Sequence, residues 1–326
     1  MRDRWLSARA RRHLAFGVLA LGAVVAPPRG LDAQQVPLPV LPEPAPAPLA
    51  LRAPASPVAL AFGQAGVALT DADVLFYNPG QLTAARGVAA SFQRYGASGN
   101  AASVASVQAL GNTSIGVGVR MFDASADAGR YSDALRPGLS RLATPGDVRL
   151  GSVALTAGAA RAVGPVRVGL GATYVRESFR DEVDETALFD VGATLPMGPA
   201  NVTVAVQQLG SSLRLSGTSA NDPWRVVVGA GGRGFPLATF WDLTAATQVA
   251  LDGEGFVQPA GGVELAWVPL EGVSVVLRTG LRRARTDDER PVTGGLGVAL
   301  DRYALDYAIE PLAHGVTAHR IGVRIR

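Results

Sequence analysis

From Val88 to the C-terminus, the chain is a succession of short segments in which apolar and polar residues alternate. Gly, Pro, Asn and Asp separate these segments, a pattern typical of consecutive β-hairpins. Successive side chains of a strand point to opposite faces, so each strand has one apolar and one polar face. The pattern predicts about fourteen strands of roughly ten residues each, at 87–94, 101–110, 113–123, 148–161, 165–178, 185–196, 200–209, 223–233, 239–251, 255–268, 272–283, 291–300, 302–310 and 316–326.

The connections between these strands alternate in length. The long ones fall on one side of the predicted sheet, at 124–147, 179–184, 210–222 and 284–290. The short ones fall on the other side, at Gly111-Asn112, 197–199, 234–238, 269–271 and Asp301. Outer-membrane barrels have long surface loops and short periplasmic turns, so this sorting predicts a barrel with that orientation.

The composition fits a protein surrounded by lipid. Charged residues make up 17% of the 326 residues, against about 25% in a typical soluble domain. After the first thirty residues, no apolar run approaches the roughly 20 residues that a membrane-spanning helix needs. Only helices and closed barrels satisfy their backbone hydrogen bonds inside a bilayer. The sequence therefore predicts an all-β fold, a transmembrane antiparallel barrel in a Gram-negative-type outer membrane.

The polar faces of several predicted strands carry arginine. In one strand Val275, Leu277 and Leu281 share a face, while Arg278 and Arg282 belong to the other. An arginine that faces lipid at mid-depth costs about 2–4 kcal/mol, so the arginine face is expected to line the lumen. The residues predicted to face the lumen are Arg120, Arg278, Arg282, Arg320 and Arg324, with the counter-charges Glu264, Asp306 and Glu310.

The first 86 residues divide into three predicted segments. Residues 1–33 combine an arginine-rich start, an apolar core at 14–26 and a small-residue cleavage site, which predicts an export signal peptide rather than a membrane anchor. Residues 34–57 are rich in Pro and Ala and predict an extended periplasmic linker. Residues 58–86 are expected to form a hatch segment in or under the lumen of the barrel at 87–326, because a lumen of this size must be filled or gated.

The core of the hatch segment is the one stretch that does not repeat, Phe62 to Leu82, with the sequence FGQAGVALTDADVLFYNPGQL. Asp71 is predicted to cap a short helical turn that ends at Asn78-Pro79. The residues that define the motif are Gly63, Gly66, Asp71, Asp73, Tyr77, Asn78 and Pro79. Together with the C-terminal run from His319, this motif resembles the FadL-like outer-membrane protein family, and most closely its PorV/PorQ branch. Arg326 stands where that family commonly ends in an aromatic residue.

The sequence predicts no enzymatic activity. Histidine occurs only at 13, 314 and 319, and no nucleophile elbow is present. The glycine-rich run 229–234 leads into another strand instead of the helix that a dinucleotide site requires. Cysteine is absent, the acidic clusters at 181–185 and 287–289 are interpreted as solvated loops, and the arginines are dispersed. We therefore expect no catalytic residues, metal, cofactor or nucleic-acid partner.

The resemblance implies one of two functions. A FadL-like protein would let hydrophobic small molecules pass a hatch-gated barrel. A PorV-like protein would instead act as a scaffold or shuttle for type IX protein secretion, with secretion-system proteins as partners. Passive transport is the first expectation and secretion the alternative.

Overall fold

The structure is a computed structural model. It describes residues 48–95, 99–125, 149–179, 182–215, 218–219, 223–285, 289–312 and 316–326. The predicted signal peptide and residues 34–47 of the predicted linker lie outside the described residues.

Fourteen strands form one closed antiparallel barrel, which confirms the predicted fold. The barrel closes because β1 pairs with both β2 and β16, so that Val88 lies opposite Ser106 on one side and Ile325 on the other. The barrel strands are β1 (Gly87–Tyr95), β2 (Gly99–Leu110), β3 (Thr113–Ser125), β4 (Arg149–Val163), β5 (Val166–Phe179), β6 (Glu182–Met197), β7 (Ala200–Gly210), β10 (Arg225–Ala238), β11 (Trp241–Asp252), β12 (Val257–Leu270), β13 (Val273–Arg282), β14 (Val292–Leu300), β15 (Tyr303–Pro311) and β16 (Thr317–Ile325). A separate hairpin pairs β8 (Arg214–Leu215) with β9 (Thr218–Ser219).

The two ends of the barrel differ in their connections. At the end that contains Gly87 and Arg326, two residues join each hairpin, at 111–112, 164–165, 198–199, 239–240, 271–272 and 301–302. We call this the short-turn end, which corresponds to the periplasmic side of outer-membrane barrels. The opposite, long-loop end has connections of varied length, at 96–98, 126–148, 180–181, 211–224, 253–256, 283–291 and 312–316.

Two predicted connections differ from the structure. The predicted turn at 234–238 is part of β10, which shifts register twice after Gly232. Pro236 is tolerated there because the pairing of β10 with β7 ends at Gly232, leaving a backbone edge that needs no donor. The predicted long connection 179–184 is short, since β5 ends at Phe179 and β6 begins at Glu182.

The outer wall is aliphatic. In β13, Leu277 and Leu281 are 66% and 61% exposed, whereas Arg278 and Arg282 are buried within the barrel. The alternation of the strand thus places the aliphatic side chains where lipid tails would lie and the guanidinium groups inside.

Residues 48–86, which we call the lumen segment, lie inside the barrel. The segment contains two short α-helices, α1 (Leu49–Arg52) and α2 (Pro57–Ala61), and two 3₁₀ helices, Ala72–Phe76 and Pro79–Ala84. Ser56 caps α2, because its Oγ accepts hydrogen bonds from the N–H groups of Val58 and Ala59. No helix in the described ranges is long and apolar enough to cross a bilayer.

The lumen segment begins near the long-loop end and reaches the wall at Gly87. Helix α1 packs on β3 and β4, and its residues Leu49 and Leu51 are buried. Residues 48–57 of the predicted periplasmic linker therefore lie inside the barrel. Their apolar side chains explain the difference, since Leu49, Ala50 and Leu51 remove more apolar surface from water there than in an extended tether.

Candidate functional site

Glycines of the barrel wall let the lumen segment approach the strands closely. A Cβ on Gly192 would lie 1.9 Å from Asn78 Oδ1, and one on Gly280 would lie 2.1 Å from the backbone N of Gly63. Gly169 is equally restricted, with the Pro79 carbonyl oxygen 2.3 Å from its ideal Cβ position. These glycines occupy lumen-facing positions of their strands, so any larger residue would displace the lumen segment.

Asn78 joins two parts of the lumen segment to the wall. Its Nδ2 donates to Thr203 Oγ1 at 2.8 Å and to the carbonyl oxygen of Val67 at 3.2 Å. Its Oδ1 accepts a hydrogen bond from the Gly80 N–H at 2.9 Å and so caps the second 3₁₀ helix. The side chain is fully buried, and all of these contacts depend on an amide with both donor and acceptor atoms.

Gln248 of β11 holds the lumen segment from the opposite side. Its Oε1 accepts a hydrogen bond from the Val67 N–H at 3.2 Å, and its Nε2 donates to the Gln64 carbonyl oxygen at 3.1 Å. Between these two contacts, Gly66 lies against the ring of Tyr77, 2.7 Å from its ideal Cβ position to Cδ1. The sequence analysis did not identify Gln248, although its polar side chain at a lumen-facing position was a usable signal.

A chain of ion pairs connects the wall to the lumen segment in the short-turn half of the barrel. Arg278 contacts Glu264 at 2.6 Å and Asp306 at 2.7 Å. Asp306 also pairs with Arg324 at 2.6 Å, and Arg324 reaches Asp71 of the lumen segment at 2.5 Å. Asp71 was expected to cap the first 3₁₀ helix, but its side chain makes no cap hydrogen bond. The arginines take up its carboxylate instead.

The two carboxyl groups of the motif differ in their electrostatic environment. Burial opposes the ionisation of Asp71, but the guanidinium groups of Arg324 and Arg326 hold its pKa well below the ordinary value. Arg326 Nη2 lies 2.6 Å from Asp71 Oδ1. Burial and the nearby charge of Asp71 raise the pKa of Asp73 to about 6.

Arg282 and Arg320 lie closer to the long-loop end. Arg282 pairs with Glu310 and lies 3.7 Å from Glu289. Arg320 is 1% exposed and donates to neutral side chains, with Nη1 bound to Gln93 Oε1 at 2.9 Å. Its other guanidinium nitrogens donate to hydroxyl groups of the wall, at Ser91 and Ser103.

Arg120 lies apart from these ion pairs. Its guanidinium group is 4.9 Å from the centre of the Phe76 ring, and its Nη1 makes a 3.4 Å contact with the Leu51 carbonyl oxygen. The lumen-facing positions therefore fall into one connected cluster of ion pairs, Arg282 with its own carboxylate partners, Arg320 with neutral partners, and the separate Arg120.

The long-loop end of the lumen is apolar around α1. The amide of Leu49 donates to Glu177 Oε2 at 2.9 Å, and that of Ala50 donates to Ser152 Oγ at 3.2 Å. Apolar packing also holds α1, against a cluster that includes Tyr95, Phe122, Leu150, Val175, Phe179, Leu188 and Leu213.

Cavities lie on both sides of the lumen segment. One of about 260 Å³ occupies the short-turn end, where Ala68 and Asp71 contribute to its wall. Two others, of about 110 and 30 Å³, lie toward the long-loop end, and Val67 lines the smaller one. Since Val67 and Ala68 are adjacent in the chain, a single layer of backbone around 64–69 separates the two sides.

Comparison of the sequence with protein-family models and with curated proteins finds no match. Solved structures do match in fold. The CymD monoaromatic hydrocarbon channel has a TM-score of 0.54 and 12% identity, over 83% of this chain and 97% of its own. The toluene transporter TbuX of Ralstonia pickettii has a TM-score of 0.51 and 13% identity, over 83% and 98%. A TodX monoaromatic hydrocarbon channel with a deltaS2S3 mutation has a TM-score of 0.51 and 10% identity, over 77% and 92%.

These likenesses show the fold, a closed antiparallel β-barrel. Its wall of fourteen strands has the fold of the CymD channel and of the toluene transporter TbuX.

Proposed function

We propose that the protein is a passive outer-membrane channel for hydrophobic small molecules, with the lumen segment as its gate. The observation that carries this proposal is the single backbone layer at 64–69 between the cavities. The fold supports it, because CymD and TbuX share that fold and are a hydrocarbon channel and a toluene transporter. The predicted hatch is then extended by residues 48–57.

In this proposal, a hydrophobic solute enters at the long-loop end. There it meets the apolar cluster around α1, in which Leu49 and Leu51 are buried. Displacement of the layer at 64–69 from Gln248 and Asn78 connects the cavities. This breaks the five hydrogen bonds by which Gln248, Asn78, Thr203 and Gln81 hold the backbone at 64–68, whereas the ion pairs of Asp71 keep the following part of the segment in place.

A reversible disulfide tests whether the layer moves. The chain contains no cysteine, so a pair introduced at Ala68 and Gly231 would be unique. The ideal Cβ position of Gly231 lies 2.9 Å from Ala68 Cβ, so a small backbone adjustment brings the pair to the separation of about 3.8 Å that disulfides prefer. We expect oxidised A68C/G231C to lose uptake of radiolabelled toluene in a Gram-negative host that lacks its own hydrocarbon channel. Reduction should restore it.

The single variants A68C and G231C, under the same oxidant, are the matched controls. Both should transport equally with and without oxidant. Equal uptake by the oxidised and reduced double variant would overturn the gating role. Uptake no higher than in cells with an empty vector would overturn transport itself.

A second candidate is a scaffold for type IX secretion, as the PorV/PorQ resemblance implies. The observation that favours it is the close packing of the lumen segment against glycines of the wall, by which the segment fills much of the lumen. Such a scaffold should support secretion of a cargo protein equally in its oxidised and reduced A68C/G231C forms. Loss of hydrocarbon uptake on deletion, with cargo secretion unchanged, would exclude this candidate.

A further inference from the structure

Two arginines in the long-loop half of the lumen have neither an acidic partner nor a side-chain hydrogen-bond acceptor among the described residues. Arg120 on β3 is 7% exposed, and its buried Nε has no hydrogen-bond partner. Arg225 on β10 is half-buried. Within the described ranges, no carboxylate lies within ion-pair distance of either guanidinium group. Asp190 influences the charge of Arg120 from a greater distance and accepts a hydrogen bond from the Gln208 N–H at 2.7 Å.

Other lumen arginines show what satisfied partners look like in this barrel. Arg278 has two carboxylates within 2.7 Å. Arg320 has no carboxylate at that distance, but each of its three nitrogens donates to a side-chain oxygen. A buried charge is costly unless it is paired or hydrogen-bonded. Arg120, which is almost fully buried, therefore requires a partner that its wall position does not supply, and the half-buried Arg225 adds a second unpaired guanidinium group.

Both arginines line the same cavity. The 30 Å³ cavity is bounded by Arg120 and Arg225, by Arg52 of α1, and by the side chains of Gln207 and Gln208, with no carboxylate among its lining residues. Arg225 and Arg52 also line the neighbouring 110 Å³ cavity. The small cavity is thus cationic, rich in amides and continuous with a larger space toward the long-loop end.

The acidic residues of the larger cavity are already engaged. Asp252 and Glu254 pair with Arg285, while Glu289 lies 3.7 Å from Arg282. These carboxylates thus pair within the larger cavity, and the charges of Glu254 and Glu289 also favour the ionised form of Arg52. Burial and the nearby Arg285 guanidinium group lower the pKa of Arg52 only to about 10, so Arg52 also stays charged at neutral pH.

We propose that the small cavity is a binding site for a small monovalent anion, held between Arg120 and Arg225. Guanidinium groups present several N–H donors and bind carboxylates and other small anions through charge-assisted hydrogen bonds. The cavity size of about 30 Å³ suits a halide ion or a single carboxylate group. This site does not depend on transport, because the anion would occupy the closed barrel.

The first test uses bromide and the purified full-length barrel. Crystals grown with sodium bromide should show an anomalous-scattering peak between the guanidinium groups of Arg120 and Arg225. R120Q and R225Q should each lose the peak and bind bromide at least tenfold more weakly, measured as the bromide dependence of Tm at constant ionic strength. R176Q is the matched control, since Arg176 is exposed and pairs with Glu185 at 3.2 Å.

Formate distinguishes the two sources of the anion. Loss of the bromide peak in excess formate identifies a site that accepts a carboxylate, and retention of the peak identifies a halide site. The proposal is overturned if the wild-type protein has no peak in this cavity, or if R120Q and R225Q both retain it. The half-buried R225Q variant keeps the test decisive should R120Q fail to fold. Slower migration on gels after heating identifies folded barrels.

Discussion

The two halves of the lumen hold the same segment by different means. In the short-turn half, Asp71 is fixed by Arg324 and Arg326, and Arg324 is connected through Asp306 to Arg278. In the long-loop half, α1 is held by apolar packing and by three hydrogen bonds with side chains of the wall. Burial alone is therefore a poor guide to mobility, since Leu49 is as buried as Asp306. We expect movement of the segment to begin at α1.

The largest effect should come from the carboxylate that two arginines share. Asp306→Asn leaves Arg278 and Arg324 without a common buried counter-charge, and breaking such a pair costs about 3–5 kcal/mol. The free energy of unfolding in lipid vesicles, from denaturant titration, measures this loss. Asp242→Asn is the control. Asp242 and Asp306 both line the cavity of about 260 Å³, but Asp242 makes no ion pair to a described residue. A loss below about 1 kcal/mol would remove the contrast between the two halves.

Asp73 is the carboxyl group of the motif that the ion-pair cluster does not hold in its ionised form. Its pKa rises from 3.8 to about 6 in the folded protein, so the native state binds the proton more tightly than the unfolded state does. Stability is therefore expected to fall as pH rises from 4 to 6 and to stay level above, by about 3 kcal/mol for two pKa units. Asp73→Asn should stabilise the protein by this amount at pH 8 and leave it unchanged at pH 4. Equal effects at both pH values would contradict this account.

A wall glycine tests the fit of the segment between the two halves. Gly280→Ala forces a Cβ against the backbone of Phe62 and Gly63, and overpacking of this kind costs about 1–3 kcal/mol. Gly294→Ala is the matched control, since its nearest neighbour is 3.7 Å from the ideal Cβ position. Denaturant titration of both variants gives the comparison. Equal stability of the two would mean that the segment adjusts without cost.

The smallest effect should be local to α1. Ser152→Ala removes the acceptor of the Ala50 N–H, worth about 1 kcal/mol, and should speed hydrogen exchange at 49–53 about fivefold without changing global stability. Ser178→Ala is the control, because Ser178 lies at the same end of the barrel and its hydroxyl contacts only the Gly151 carbonyl oxygen. Matching changes in exchange at 57–82 would show that the halves open together.

The barrel was predictable because its signals are local and repeated. Apolar alternation marked the strands, and the arginines of β13 marked the inner face, since each strand carries this information by itself. The partners of Asp71 were not predictable, because Arg324 and Arg326 lie more than 250 residues away and only barrel closure brings them near. The cap expected from Asp71 was wrong for the same reason. The local capping rule assigns the Asp71 carboxylate to the helix end, but the guanidinium groups of Arg324 and Arg326 bind it instead.

The turn at 234–238 was misplaced because Gly and Pro usually interrupt strands. Beyond Gly232, however, β10 pairs only with β11. The missing N–H donor of Pro236 therefore interrupts no pairing with β7. The burial of 48–57 was missed because the proline-rich composition before it indicates an extended chain. Leu49 and Leu51 were too few to be recognised as a buried helix without the cavity that receives them.

The C-terminal strand has a consequence for assembly. β16 seals the wall against β1, and the arginines at its end are those that clasp Asp71. Asp71 consequently acquires both cations only after β16 is in position. Closure of the barrel and attachment of the lumen segment are thus coupled. An intermediate that lacks β16 would have both an open wall and a weakly held lumen segment.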